Sequence, residues 1–65
     1  MTPQEVAKWL SKPVQVNSPK ISGKMLFTAY IFRIINGLKV YQAEVQNMNS
    51  PHEIYYVNLN DIKGE

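Results

Sequence analysis

The dipeptide Asn36-Gly37 stands between two runs rich in apolar and β-branched residues, Met25 to Ile35 and Leu38 to Gln46. Asn and Gly both tolerate the left-handed backbone of a type I′ turn. The twist of that turn suits two antiparallel strands joined by two residues. The chain is therefore expected to contain one long β-hairpin, and a two-residue loop fixes its register. Ile35 then lies opposite Leu38. Side chains alternate between faces along a strand, so one face would hold Thr28 with Val45, Tyr30 with Ala43, and Phe32 with Tyr41. That face reads as core. The other would hold Phe27, Ala29, Ile31 and Arg33 against Gln46, Glu44, Gln42 and Val40. Its apolar members, Phe27, Ile31 and Val40, are more than an ordinary solvated face carries.

The flanking segments add shorter elements. Thr2, Pro3 and Glu5 form a helix-start signal: an N-cap, a proline at the first helical position and a capping-box carboxylate. Val6, Trp9 and Leu10 follow at helical spacing, and Lys12 precedes Pro13, which disfavours further helix. A helix over 2–11 is expected. Val14 to Val16 alternates as a first strand, and Asn17-Ser18-Pro19-Lys20 reads as a turn. Asn47 to His52 makes a second loop. A last strand over 53–59 puts Tyr55, Val57 and Leu59 on one face and Ile54 and Tyr56 on the other. Asn60-Asp61-Ile62 reads as a closing turn with Ile62 as an anchor. The expected fold is mainly β (α+β): one domain over 1–65, with a short N-terminal helix. Four antiparallel strands at 14–16, 25–35, 38–46 and 53–59 form a strongly bent sheet. In architecture this resembles a small partial barrel of the SH3 or Sm type, an analogy of fold and not of function.

At 65 residues a domain buries a modest share of its surface and commonly needs a staple. The chain has no cysteine and one histidine, His52. Disulfides, thiolate metal sites and multi-histidine metal sites within one chain are excluded. Oligomerisation is the staple left, so a homo-oligomer is expected.

No paired carboxylates, catalytic triad or phosphate-cradling glycine loop is legible. His52 beside Ser50 and Glu53 is at most a fragment of a triad, and neighbouring strand positions point opposite ways. The reading is of a non-enzymatic binding module without a cofactor. Cations dominate the first half, with Lys8, Lys12, Lys20, Lys24 and Arg33 against Glu5. Acids dominate the second, with Glu44, Glu53, Asp61 and Glu65 against Lys39 and Lys63. Lys20, Ser22 and Lys24 combine cations, a hydroxyl and a nearby glycine, the ingredients of a phosphate-holding loop. Arg33 can grip phosphate bidentately, and Tyr56 can stack on a base. These five are the candidate ligand residues, for a nucleotide or a nucleic acid strand. The net charge of +2 suits a small ligand better than a long duplex.

A second set, Phe27, Ile31, Val40 and Ile54, would form an apolar patch suited to self-association or a protein target. Tiny cysteine-free domains of this kind recur among phage and mobile-element accessory proteins, so an inhibitor or adaptor is the alternative role. The chain opens without a basic stretch followed by an apolar run, and Met25 to Ile35 is too short to cross a bilayer as a helix. A cytoplasmic setting without a membrane partner is expected.

Overall fold

The computed structural model describes residues 1–64. A 3₁₀ turn at Pro3–Glu5 runs into a single helical turn, α1 (Val6–Trp9). Five strands follow: β1 (Pro13–Asn17), β2 (Ser22–Ile35), β3 (Leu38–Gln46), β4 (Ile54–Asn58) and β5 (Ile62–Gly64). They form one antiparallel sheet in the order β4-β3-β2-β1-β5. A second 3₁₀ turn, Leu59–Asp61, carries the chain from β4 to β5. No helix among the described residues is long and apolar enough to cross a membrane.

The mainly β fold with a short N-terminal helix is as the sequence predicts, with a fifth strand in addition. Ile62 is buried as expected, but it anchors β5 against β1 instead of ending a turn. β1 and β2 also extend beyond their expected bounds, because Ser22 to Lys24 pairs with β1. Gly23, at φ 123°, lets β2 begin there in a conformation other residues rarely adopt. The expected helix is shorter than 2–11. Leu10 is already extended and Ser11 is left-handed at φ 67°, so the chain turns before Pro13. The Thr2 amide and hydroxyl both donate to the Glu5 carboxylate, each at 3.0 Å. Those bonds hold the Glu5 carboxyl below its ordinary range, since they favour the charged form.

Asn36 and Gly37 adopt φ 52° and 79°, the left-handed pair a type I′ turn requires. Ile35 pairs with Leu38, and the expected register holds back to Ala29 with Glu44. It then shifts: between Phe27 and Ala29 β2 carries an extra residue, and Phe27 pairs with Val45. This β-bulge at Thr28 exchanges the faces of the residues before it. Phe27, expected on the outer face, lies in the core with no exposed surface. Thr28, expected inside, turns outward and donates to the Glu44 carbonyl at 3.1 Å and carboxylate at 2.8 Å.

The core is assembled from one face of every strand: Val14, Val16, Met25, Phe27, Ala43, Val45, Val57 and Ile62, with Leu59 and Val6 closing its ends. Among the described residues, no polar or charged side chain is buried in it. Trp9 packs against its margin, with the indole against Gly64. A Cβ at Gly64 would overlap that ring, so β5 can approach the helix only through glycine there.

Candidate interaction surface

β2 is longer than its neighbours can cover. β1 pairs with it only from Ser22 to Leu26, and Lys12 and Ser11 extend that edge by bonds to Phe27. On the other side of the hairpin, β4 pairs with β3 only from Gln42 to Gln46. The distal half of the hairpin therefore stands out as a two-stranded arm, in a molecule 37 Å long and 18 Å thick.

The arm exposes apolar side chains on both faces, beside Lys39 on the inner face and Arg33 on the outer. On the inner face, Tyr30 and Phe32 oppose Ala43 and Tyr41 as expected. The Tyr30 and Tyr41 rings are stacked with centroids 6.4 Å apart, and Phe32 lies 5.3 Å from Tyr41. These rings were expected in the core, but only Tyr30 reaches it. Phe32 is 49% exposed and Tyr41 is 37% exposed, because no strand crosses over this end of the sheet. Ile34 continues the same face at 66% exposure, and on the outer face Leu38 is 70% exposed beside Ile35. These residues are the part of the surface that strand periodicity missed. The available signal was length: an 11-residue apolar run has no equally long partners to bury it.

Of the expected interface residues, Ile31 and Val40 are half-buried on the outer face and Ile54 is exposed there. Phe27 is removed from that set by the bulge. The same face carries a polar row. The Tyr56 hydroxyl donates to the Glu44 carboxylate at 2.9 Å, and Thr28 bonds its other oxygen. The bond to Glu44 raises the Tyr56 hydroxyl above its ordinary range, while the charge of Arg33 acts weakly in the opposite sense.

The expected ligand residues are spread out. Lys20 lies in the β1–β2 turn, Ser22 and Lys24 lie at the start of β2, and Arg33 lies near its far end. From Lys24 to Arg33 the strand runs roughly 30 Å, so these cations do not converge on one phosphate. Lys20 and Tyr56 both line an open cleft of about 300 Å³, together with Ser18, Gln42, Asn58 and Asp61. His52 is exposed in the β3–β4 loop, and the Glu53 carboxylate beside it accepts from the Asn47 amide at 2.7 Å. Among the described residues, no three His, Asp or Glu side chains gather as a metal site would require.

The chain matches no family model, no curated protein and no solved structure.

Proposed function

We propose that the protein is a small non-enzymatic binding module that acts by protein contact, with the β2–β3 arm as its contact surface. The observation carrying this reading is the exposure of Phe32, Ile34, Ile35, Leu38 and Tyr41 on one protruding element. Phe32, Ile34 and Tyr41 present on the order of 300 Å² of apolar surface on the inner face, within the range of the largest patch on a monomer, and Ile35 and Leu38 add a second exposed pair on the outer face. Aromatic side chains are enriched at protein interfaces and are frequent energetic anchors there. The arm also offers strand edges without neighbours, so the partner it fits is a protein surface with apolar side chains and a free strand edge. A photo-crosslinking amino acid at Phe32 should give protein adducts in the native cell, and one at Lys63, off the arm, should not. Equal yields from both positions would refute the reading.

The cleft shared by Lys20 and Tyr56 favours a second reading, a small ligand carrying an anionic group. Ser18, Gln42 and Asn58 add hydrogen-bonding groups, and Asp61 opposes the lysine. Calorimetry with nucleotides and short oligonucleotides tests it. Binding that Lys20→Ala abolishes supports it, and no heat with any of them removes it.

A further inference from the structure

We infer that the occupant of the arm is a second copy of this chain, joined through the free edge of β2 about a two-fold axis. This rests on the reading of the arm as the contact surface. From Ala29 to Ile35, β2 pairs with β3 on one side only. A two-residue turn is closed by a hydrogen-bonded pair, here Ile35 with Leu38, and such pairs alternate along an antiparallel ladder. Ile35, Arg33, Ile31 and Ala29 therefore direct their N–H and C=O groups toward β3. Tyr30, Phe32 and Ile34 direct theirs outward.

The centre of this free edge is Phe32. An antiparallel pairing that uses its whole length places Phe32 opposite the partner's Phe32, and Tyr30 opposite the partner's Ile34. Those are the residues whose backbone groups point outward, so each pair can exchange both of its hydrogen bonds. The same register gathers the exposed apolar side chains of the inner face on one side of the joined sheet. On the outer face it sets Arg33 opposite the partner's Ile31, which keeps the two guanidinium groups from facing each other. The pairing buries the backbone edge and sets Phe32 and Ile34 against the side chains of the facing strand, a contribution toward the about 800 Å² per partner that a standard interface buries.

Two features favour this edge and this occupant. The segment Tyr30 to Ile35, Tyr-Ile-Phe-Arg-Ile-Ile, holds one charge and neither proline nor glycine. Left uncovered, such a strand is an aggregation hazard. A two-fold pair covers it and closes, with no edge of this segment left to recruit a third chain. The opposite edge of the arm is guarded by Lys39 on β3, a residue type that discourages edge pairing.

Sedimentation equilibrium of the wild-type chain and two variants tests the inference. Phe32→Glu sets two carboxylates opposite each other at the centre of the pairing. Ile34→Pro removes an outward N–H without taking a bond from the hairpin, as edge strands tolerate. The wild type should sediment as a dimer. Each variant should raise the dimer dissociation constant by about a hundredfold, a loss shared by two equivalent sites. The emission of Trp9, remote from the arm, should stay that of the folded chain. A wild type that is monomeric across the accessible concentrations overturns the second copy as occupant and leaves the arm free for another protein. A dimer that both folded variants retain overturns this interface and, with it, the arm as the contact surface for self-association.

Discussion

Without the bulge in β2, Phe27 would face outward while Phe32 kept its face, so truncating each in turn tests the packing. In the structure Phe27 has no exposed surface and lies in the core with Val45. Phe27→Ala should cost about 3–5 kcal/mol, the lost transfer energy plus the cavity left behind. Phe32 is 49% exposed. Full burial of such a side chain is worth about 1.5–3 kcal/mol, so Phe32→Ala should cost about 1 kcal/mol in the monomer. A chain of this length has a total stability of roughly 3–10 kcal/mol, so Phe27→Ala should remove a large fraction of it. Phe27→Leu, a milder change expected to cost about 1–2 kcal/mol, keeps the comparison measurable. The assay is urea unfolding followed by Trp9 fluorescence at a protein concentration low enough to hold the chain as a monomer. Equal losses for Phe27→Leu and Phe32→Ala at unchanged slope would leave the bulge undecided by that pair alone, and Phe27→Ala then decides it. A folded Phe27→Ala within about 1 kcal/mol of wild type would refute the placement of this ring.

Three further outcomes follow from single residues. Gly37→Ala forces an L side chain into φ 79° and should cost about 1 kcal/mol, a fall of about 4–8 °C in the melting midpoint; an unchanged midpoint would contradict the type I′ turn. Gly64→Ala should displace the Trp9 indole, seen as a red shift of tryptophan emission with a loss of about 1–3 kcal/mol; emission identical to wild type would contradict the contact. Because the folded-state pKa of Glu5 is lowered, its contribution is present above the unfolded carboxylate pKa and is lost as pH falls through the folded one. Glu5→Gln should therefore melt below wild type at neutral pH and match it in strong acid, and a gap that persists in acid would contradict the capping bonds as its source.

The hairpin was legible because its turn chemistry and its strand patterns are local. Asn36-Gly37 sets the backbone hand by itself, and the register follows without knowledge of the rest of the chain. The helix start was legible for the same reason, from Thr2 and Glu5. The bulge at Thr28 was not. It depends on which of two neighbouring side chains the assembled core receives, and Phe27 fills that space where Thr28 cannot. β5 was hidden because three residues carry too little pattern to mark a strand, and its pairing with β1 joins distant parts of the chain.

The surface shows the same division. Alternation correctly grouped Tyr30, Phe32 and Tyr41 on one face, but burial depends on what lies above that face. The distance between the end of β1 pairing at Leu26 and the turn at Asn36 decides it. Lys20 and Tyr56 line the same cleft although they lie far apart in the chain, which no spacing in the sequence encodes. Lys24 and Arg33 share a strand, and that places them apart.

Amide hydrogen exchange of Tyr30, Phe32 and Ile34, followed across protein concentration, tests the joined arm most directly. Their N–H groups point away from β3 and have no partner strand in the monomer. Exchange should be fast in dilute protein, with protection that rises with concentration, while Ile31 and Arg33 stay protected throughout. Exchange of Tyr30, Phe32 and Ile34 that remains fast at concentrations where the chain sediments as a dimer would contradict it.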